Sequence, residues 1–404
     1  MSRLIRTIRH IGEIAEINAR TLKGDFPHSI IEYIDISSVG TGTFNNLPKR
    51  IELAKAPSRA RRLVLHGDTI ISTVRPNRRS FMFLKEPMPN TVVSTGFAVL
   101  TPKEEIDSRY LYYWISQPAY SDFLASRAKG AAYPAVDTES IVESEILLPP
   151  LPVQRRIVGI LSAYDDLIEN NTRRIQILEQ MAQSIYREWF VHFRFPGHEK
   201  VKLVETPLGK IPQGWEAKNL FEVAEVTYGF PFKSTHFSTE LRGLPIIRIR
   251  DIQPNFSATY TEETAEPKHI VENGDLLVGM DGDFHMGKWA GGKAWINQRV
   301  VRFRPKTRLG RYHLFLALEK PIHHFDSTIV GTTVAHLGDR DLRATFLPIP
   351  PDPLVKLVSE TLEPLFDLEL NLRLKNTNLR RTRDVLLPRL ISGELCVENT
   401  GGNT

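Results

Sequence analysis

Two long stretches of the chain are built from short apolar runs that are broken by Gly, Pro, Asn and Asp. Residues 30–36 and 244–250 are examples, in which apolar and polar positions alternate and β-branched residues are frequent. This alternation predicts β-strands. Short helical patterns lie between the runs, as at residues 109–114. Each stretch is therefore predicted to form a mixed α/β globular domain.

A different pattern follows the first stretch, where a proline cluster that suits a helix start precedes a long helical segment. Residues 153–190 contain no Pro and one Gly. Along this segment a seam of residues recurs in steps of four and three, which is the heptad pattern of a coiled coil. Asn171 is the polar member of the seam, and a single Asn in a seam typically fixes register at some cost in stability. The seam consists of Ile157, Leu161, Tyr164, Ile168, Asn171, Ile175, Leu178, Ala182, Ile185 and Trp189.

A second helical segment follows the second stretch and carries a less apolar seam. Its seam has leucine at every seventh position, namely Leu365, Leu372, Leu379 and Leu386, and is extended by Val358, Leu362 and Leu390. Glu369, Asn376 and Arg383 interrupt the stripe, and Pro364 is expected to kink or delay the helix. Two long helices of a coiled coil would explain both seams, and two core helices of one large domain are the alternative.

Four landmarks recur in the same order in the two halves of the chain, which indicates an internal repeat. The matched ranges are 11–17 with 220–226, 66–71 with 273–278, 101–103 with 304–306, and 149–152 with 350–353. Each half runs from a region of short strands to a proline-rich stop and then to a long helix. The predicted fold class is α+β, with two mixed α/β domains and two long helices.

Composition narrows the class of protein. The chain has 404 residues, a net charge of +5 and a pI of about 9.1, which is compatible with nucleic-acid binding. No apolar run is long enough to span a bilayer and no secretory signal is present at the N-terminus, so a cytoplasmic location is expected. Cys396 is the single cysteine, which excludes an intramolecular disulfide and a cysteine-based zinc site.

Positive charge is concentrated near the middle of the first half. Among residues 49–62, Glu52 is the only acidic residue beside six basic ones, and three arginines follow soon after. A solvated basic face and a phosphate-binding surface are both consistent with this cluster. Its members are Lys49, Arg50, Lys55, Arg59, Arg61, Arg62, Arg75, Arg78 and Arg79.

Catalytic motifs are missing from the sequence. There is no phosphate-binding GxxxxGK[ST] loop and no GxSxG turn for a nucleophilic serine. The Asn/Asp-Pro-Pro-Tyr/Phe tetrapeptide of adenine methyltransferases and a Gly-rich turn for S-adenosylmethionine are also missing. We therefore predict that the chain has no catalytic residue, no metal site and no bound cofactor.

Four segments resemble the conserved segments of the specificity (S) subunits of type I restriction-modification systems. They are LPPLPVQRRIVGIL at 148–161, EWFVHFRFPGHE at 188–199, LGKIPQGW at 208–215 and RDVLLPRLISGEL at 383–395. The first two resemble the start and end of the family's first conserved region. The third resembles the entry to its second target-recognition domain, and the fourth the end of its second conserved region. The recognition domains vary widely in this family, so no DNA target is carried over.

The resemblance implies a domain map. Two mixed α/β target-recognition domains would be separated by two long helices that pair as an antiparallel coiled coil, in an internal pseudo-twofold repeat. The map is target-recognition domain 1 at 1–150, spacer helix 1 at 151–192, a linker at 193–215, target-recognition domain 2 at 216–350, spacer helix 2 at 351–392 and a tail at 393–404.

The resemblance also implies a function and partners. Each recognition domain would read one half of a split site in double-stranded DNA, and the paired helices would act as a spacer. Two methyltransferase (M) subunits would dock on the spacer, and two restriction (R) motor-nuclease subunits would complete the complex used in phage defence. S-adenosylmethionine, ATP and Mg²⁺ would bind to these partners rather than to this chain, and no membrane is involved.

Polar turns between strands are the natural candidates for DNA contact, because phosphate contacts position a protein and base-edge contacts specify the sequence. The turn at 75–79 is basic, and the turns at 129–133 and 330–334 each place small or hydroxyl residues beside a glycine. For each residue an ordinary surface turn is the alternative. The DNA-binding candidates are Arg59, Arg61, Arg62, Arg75, Asn77, Arg78, Arg79, Tyr133, Lys233, Ser234, Lys288, Thr332 and Thr333.

Two other functions stay open on the sequence. A coiled-coil scaffold with two protein-binding domains would share the architecture but would not bind DNA with its partners. A self-contained DNA-modifying enzyme would transfer methyl groups as an isolated chain, and the missing motifs disfavour it.

Overall fold

The computed structural model describes residues 7–282, 284–306, 308–328 and 336–397. Contacts divide the chain into a first unit of Met1–Asp166 with Arg380–Thr404 and a second unit of Leu167–Leu379. Thr332 and Thr333 lie outside the described residues. None of the helices in the described ranges combines the length and the hydropathy that crossing a bilayer requires.

Short strands make up the first part of the first unit. They are β1 (Thr7–His10), β2 (Ala15–Ile17), β3 (Ile30–Ile34), β4 (Lys49–Glu52), β5 (Ala60–Leu63), β6 (Thr69–Ser72), β7 (Phe81–Phe83), β8 (Thr91–Ser94), β9 (Phe97–Pro102) and β10 (Glu145–Leu148). They form one sheet in the order β2-β9-β6-β7, another in the order β4-β3-β8-β5, and the pair β1-β10. The pairing of β3 with β8 is parallel and the other pairings are antiparallel.

The helices of the first unit contribute buried side chains to its core. They are α1 (Ile11–Ile14), α2 (Ser108–Ser116), α3 (Pro118–Arg127), α4 (Thr138–Val142) and the start of α5 (Leu151–Tyr186), which continues into the second unit. The Asp107 carboxylate accepts a hydrogen bond from the Arg109 amide at 3.0 Å, and this cap fixes the start of α2. Tyr110 and Leu111 on α2 are fully buried in the core.

The second unit repeats this construction. Its strands are β11 (Leu203–Thr206), β12 (Gly209–Pro212), β13 (Glu216–Asn219), β14 (Ala224–Tyr228), β15 (Leu244–Ile247), β16 (Tyr260–Thr261), β17 (Ile270–Val271), β18 (Leu276–Gly279), β19 (Met286–Lys288), β20 (Ala294–Ile296), β21 (Val300–Pro305) and β22 (Phe346–Ile349). Its helices are α6 (Leu220–Val223), α7 (Ile249–Ile252), α8 (Gly310–Thr328), α9 (Asp339–Arg343) and α10 (Asp352–Ser392), whose last residues belong to the first unit.

The sheets of the second unit have the strand orders of the first. The sheet β14-β21-β18-β19 corresponds to β2-β9-β6-β7, and β16-β15-β20-β17 corresponds to β4-β3-β8-β5. The parallel pairing of β15 with β20 also corresponds to that of β3 with β8. The two units therefore repeat one topology, and the predicted mixed α/β architecture with long helices is confirmed.

The Gly-Asp landmark of the repeat has the same structural role in both units. The Asp68 carboxylate accepts from the Leu65 amide at 2.7 Å, directly before β6. The Asp275 carboxylate accepts from the Glu272 amide at 2.8 Å before β18, and it also binds the Arg304 guanidinium at 2.6 and 2.7 Å. In each unit, this carboxylate closes the turn that leads into a central strand.

The predicted seams differ in how deeply their members are buried. On α5, Ile157, Leu161, Asn171, Ile175 and Leu178 are buried, and Tyr164 and Ile168 are half-buried. On α10, Leu372 is buried, while Leu365, Leu379 and Leu386 are half-buried. The burial follows a heptad pattern, because Ile160, Leu167 and Ile177 between the seam positions of α5 are exposed.

Both units contain contacts between α5 and α10. In the first unit, Ile157 and Leu161 share a buried cluster with Leu387 and Leu390. In the second unit, Ile175, Leu178 and Leu372 form such a cluster, with Leu365 packed against it. The side chains of both helices are therefore partly buried by each other within each unit.

The polar residues that interrupt the second seam have polar partners. In the second unit, the Asn171 amide donates to the Asn376 side-chain oxygen at 2.9 Å. In the first unit, the Arg383 guanidinium donates to the Asp165 carboxylate at 2.6 Å, and the Tyr113 hydroxyl donates to the same carboxylate at 2.6 Å. Burial and the charge of Asp165 raise the pKa of Tyr113. Pairing satisfies groups that would destabilise the contact if they were buried alone.

The expectation that Pro364 delays the second helix is wrong. Helix α10 begins at Asp352 and continues across Pro364, whose side chain is exposed. A proline within a helix removes one backbone hydrogen bond, and the packing of α10 on both sides of this position compensates for that loss.

The predicted linker at 193–215 is folded. It contains the antiparallel β11–β12 hairpin. Phe195, Ile211 and Trp215 are buried in the core of the second unit. The bounds of the six predicted segments stay predictions.

Candidate nucleic-acid interface

The basic turn, residues 75–79, follows strand β6 of the first unit after Thr73 and Val74. Arg75 and Arg79 both have left-handed backbone conformations, with φ values of 51° and 54°. They flank a single 3-10 turn, Pro76–Arg78. A left-handed conformation costs a non-glycine residue roughly 1–2 kcal/mol, so the surrounding contacts must hold this turn in place.

A second predicted turn provides those contacts. The tyrosine turn, residues 129–133, is followed by Pro134, whose carbonyl accepts from the Arg75 amide at 2.7 Å. The Arg75 guanidinium donates to the Ala132 carbonyl at 3.2 Å and lies over the Tyr133 ring at 4.4 Å. Tyr133 is 70% exposed. The structure thus brings together two turns that the sequence proposed separately.

The members of the basic turn have different environments. Asn77 and Arg78 are exposed, and no side-chain hydrogen bond of either is found within the described ranges. Arg79 is half-buried and donates to the Ser116 carbonyl at 2.9 Å. Asn77 and Arg78 can therefore contact a ligand, whereas Arg79 ties the turn to α2.

The three arginines around strand β5 are also unequal. Arg59 donates to the Asp35 carboxylate at 2.9 Å, and hydrogen bonding to Tyr33 together with the charge of Asp35 raises its pKa. Arg61 is exposed and donates to the Ser58 carbonyl at 3.0 Å. Burial lowers the pKa of the half-buried Arg62. Arg59 and Arg61 are thus both exposed, and of these two only Arg59 has a carboxylate partner within the described residues.

The basic turn has a corresponding position in the second unit. In the first unit, the Thr73 amide after β6 donates to the Gly96 carbonyl at 2.8 Å. In the second unit, the Met280 amide after β18 donates to the Arg299 carbonyl at 2.9 Å. These bonds connect equivalent turns, so Arg299 occupies the position of Gly96.

The next residues correspond as well. Val74 forms an isolated antiparallel bridge with Ala135, and Asp281 forms the same kind of bridge with His336. The sheet end that carries the basic turn in the first unit therefore carries the Asp281 cluster, which we define as Asp281, Arg299 and His336, in the second unit.

The Asp281 carboxylate holds both other members of this cluster. Arg299 Nε lies 3.1 Å from Asp281 Oδ2, and Nη1 lies 3.5 Å from Oδ1. His336 Nδ1 donates to Oδ1 at 2.7 Å. Sequence reasoning did not single out these residues, because they come from three distant segments. The matching of residues 66–71 with 273–278 could have led to Asp281, since it follows the second landmark closely.

Lys233 and Ser234 are exposed but lie beside acidic groups. The Lys233 amide donates to the Glu263 carboxylate at 3.1 Å, and this bond holds the pKa of Glu263 below its usual value. Glu240, Glu262 and Glu263 line a pocket next to this turn. Their negative charge weakens the attraction of Lys233 for a phosphate.

Lys288 is not a DNA-contact candidate on this structure, which corrects the sequence-based choice. It is 7% exposed and binds Glu369 at 2.9 Å and Glu179 at 3.1 Å. Burial alone would raise the pKa of Glu369, but Lys288 and Arg373 together lower it below its usual value. The Lys288 ammonium joins β19 to both long helices and is already neutralised.

Within the described ranges, no group of three or more His, Cys, Asp or Glu side chains is placed to hold a metal ion.

A comparison with known families decides the class of this chain. The sequence model of the type I restriction modification DNA specificity domain matches residues 7–180 and 212–377. The chain belongs to this family. The resemblance inferred from the helix and linker motifs is thereby confirmed. Specificity subunits are DNA-recognition components rather than enzymes, which agrees with the prediction of a non-catalytic chain.

Relatives match along nearly the whole length of this specificity-family chain. The MjaIX specificity subunit of a type I restriction enzyme from Methanocaldococcus jannaschii is 25% identical, with 98% of this chain and 94% of the relative covered. The HindI specificity subunit from Haemophilus influenzae is 22% identical, with 90% and 95% covered. The crystal structure of a type I S subunit from M. genitalium has 14% identity, a TM-score of 0.57 and 97% of each chain covered, and it supports the fold.

Proposed function

We propose that this chain is the non-catalytic DNA sequence-specificity subunit of a type I restriction-modification complex. Each recognition unit reads one half of a bipartite site in double-stranded DNA. One observation carries the proposal. The same strand topology occurs in both units, but the equivalent end of the sheet presents different polar side chains in each unit. Because base-edge contacts depend on the side chains presented, two different sets fit two different half-sites.

In the first unit, the basic turn is the main contact surface. Arg78 and Asn77 are exposed, and Arg can pair with guanine and Asn with adenine. Arg75 is held over the Tyr133 ring, so its guanidinium has a fixed direction. Arg61 adds positive charge for phosphate contacts.

The two long helices are proposed to pair as an antiparallel coiled coil and to act as the spacer of a pseudo-twofold molecule. The Asn171–Asn376 hydrogen bond and the Ile175–Leu178–Leu372 cluster support this pairing in the second unit. The 36 residues of α5 span about 54 Å at 1.5 Å per residue. A helix of this length suits a spacer better than the core of a small domain.

The proposed complex contains two methyltransferase subunits and two restriction motor-nuclease subunits. The relatives from M. jannaschii and H. influenzae are specificity subunits of type I restriction enzymes, which supports partners of this kind. S-adenosylmethionine, ATP and Mg²⁺ are proposed to bind to the partner subunits. This division of labour agrees with the absence of catalytic motifs from the sequence.

The decisive experiment is to assemble the chain with its methyltransferase partner and to map methylated adenines on a library of random duplexes. We expect a motif of two defined half-sites separated by unread bases. The isolated chain should transfer no methyl groups. A continuous motif, or no sequence preference at all, would contradict the proposal.

The spacer role has its own test, in which both helices are lengthened by one heptad. Insertions after Arg173 in α5 and after Arg373 in α10 fall in the same part of the helix contact, between the Asn171–Asn376 and Ile175–Leu372 levels. Seven residues preserve the seam and add roughly 10 Å of helix, or about three base pairs. On a library with varied spacers, we expect unchanged half-sites and a longer spacer. Active complexes that keep the original spacer would exclude this role.

A further inference from the structure

The Asp281 cluster holds an arginine in a fixed orientation while leaving part of it accessible. Arg299 Nη1 donates to Asp281 Oδ1 at 3.5 Å, and Arg299 Nε lies 3.1 Å from Asp281 Oδ2. Within the described ranges no hydrogen bond of Arg299 Nη2 is found, and the Arg299 side chain is 52% exposed. His336, which lies in a different segment of the chain, donates to the same Asp281 carboxylate and so restricts the rotation of that carboxylate. Arg299 Nη2 is therefore available for a ligand, on a guanidinium whose position the Asp281 carboxylate restricts.

This arrangement is better suited to a base than to a phosphate. Phosphate attraction depends on net positive charge, and Asp281 offsets the charge of Arg299. Recognition of a base edge depends on the orientation of the donors, which a planar guanidinium held by a carboxylate provides. Pairing with Asp281 therefore lowers the net charge at Arg299 but restricts the direction of its hydrogen-bond donors.

The position of the cluster supports the same interpretation. The backbone contacts of Arg299 and Asp281 match those of Gly96 and Val74 in the first unit. There, the equivalent contacts place the basic turn and the tyrosine turn at the sheet end. The side chains at this position differ completely between the units, whereas the backbone bonds are the same. A position of constant geometry and variable chemistry is where a difference in sequence preference can arise.

We propose that Arg299, oriented by Asp281 and His336, reads a guanine in the half-site of the second unit. An arginine donates two hydrogen bonds to the O6 and N7 atoms of guanine in the major groove. Arg299 is the specificity-determining residue, and Asp281 and His336 are positioning residues. This inference rests on the proposed function, since it assumes that the second unit reads DNA.

The test selects bound duplexes from a random library with the chain–methyltransferase complex, at two salt concentrations. For Arg299→Ala we expect the preference for guanine at one position of one half-site to fall by roughly 5- to 150-fold. All other positions should keep their preference. Asp281→Asn, which keeps the size of the side chain but removes its charge, should weaken the preference at that same position by a smaller factor.

Two results would overturn the inference. Uniform weakening of all sequences by Arg299→Ala, with a shallower salt dependence that Arg299→Lys restores, would make Arg299 a phosphate contact. Unchanged preference and affinity would mean that the cluster is a surface ion pair. If Arg299→Ala does not fold, as judged by circular dichroism, then Arg299→Lys and Asp281→Asn give the decision, because both keep polar side chains at the site.

A matched control separates this inference from the proposed function. Arg343 is 62% exposed and binds Asp339 within α9, so Arg343→Ala removes an ion-paired arginine outside the Asp281 cluster. It should leave every position of the motif unchanged. If the wild-type complex selects no bipartite motif, the proposed function fails. If the motif is present and Arg299→Ala leaves it intact, only the role of Arg299 fails.

Discussion

The corresponding sheet ends of the two units share their backbone contacts but differ in charge. The first unit presents Arg75 and Arg78 with no carboxylate bound to either within the described ranges, whereas the second presents Arg299 bound to Asp281. An uncompensated arginine keeps its full charge and can contact a phosphate as well as a base, whereas a compensated one has less net charge and favours oriented contact with a base edge. The comparison indicates that the scaffold fixes where a reading residue lies, while local partners decide how it binds.

A second pair of corresponding positions shows the same freedom inside the fold. Phe83 pairs with Thr69 in the first unit, and Lys288 pairs with Leu276 in the second, at equivalent places in the sheet. Lys288 is buried and charged, and it depends on Glu369 and Glu179. Phe83 needs no such partners. The second unit should therefore be more sensitive to a single substitution at this position.

The largest effect is expected for Lys288→Ala. Removing one partner of a buried ion pair typically costs about 3–5 kcal/mol, and the Arg373 guanidinium beside Glu369 should keep the cost at about 3 kcal/mol. Denaturant unfolding of the chain measures this change in the free energy of unfolding. Lys268→Ala, at an exposed ion pair, is the control and should change stability little. An equally small loss for Lys288→Ala would show that the pair is not coupled to folding.

A smaller effect is expected at the polar contact between the long helices. Asn376→Leu leaves the buried Asn171 amide without its partner, which should cost about 1–3 kcal/mol. Asn171→Leu together with Asn376→Leu should recover most of that stability, because both polar groups are then replaced. A double-mutant cycle in denaturant measures the coupling. Additive losses would mean that the two side chains act independently.

The helices were more predictable from the sequence than the reading surface. Heptad steps identified Ile157, Leu161 and Leu372 because helical packing depends on local periodicity. From the sequence, Glu369 and Arg383 only interrupt the second seam. In the structure, Glu369 binds Lys288 and Arg383 binds Asp165, and the sequence does not show these partners. Long-range pairs of this kind depend on tertiary contacts that periodicity does not encode.

The same limit applies to the candidate interface. Clustered charge identified the basic turn, and glycine beside small residues identified the tyrosine turn, but the contact between Arg75 and Tyr133 joins distant segments. The Asp281 cluster has neither a charge run nor a motif. Lys288 was among the candidates, although its side chain is buried and binds Glu369 on a long helix, which the sequence does not show.

Substitutions in the basic turn should distinguish ligand contact from support of the turn. Arg78→Ala should reduce the slope of log affinity against log salt by about one unit if Arg78 contacts one phosphate. Arg79→Ala should leave that slope nearly unchanged and lower thermal stability instead, because Arg79 donates to the Ser116 carbonyl. Filter binding of the complex across a salt series measures both slopes. Equal slopes for Arg78→Ala and the wild type would place Arg78 away from the phosphates.

The smallest effect is expected at Tyr133, which tests whether orientation matters in the first unit as it is proposed to matter in the second. The Tyr133 ring lies 4.4 Å from the Arg75 guanidinium, and an exposed cation–π contact contributes about 0.5–1 kcal/mol. Tyr133→Ala removes this contact but leaves the hydrogen bond from Arg75 to the Ala132 carbonyl. DNA affinity should therefore fall by roughly two- to fivefold, at a salt slope close to that of the wild type. Tyr133→Phe keeps the ring and should bind like the wild type. A loss for Tyr133→Phe as large as for Tyr133→Ala would assign the effect to the hydroxyl group, and the orientation of Arg75 by the ring would then have no role in binding.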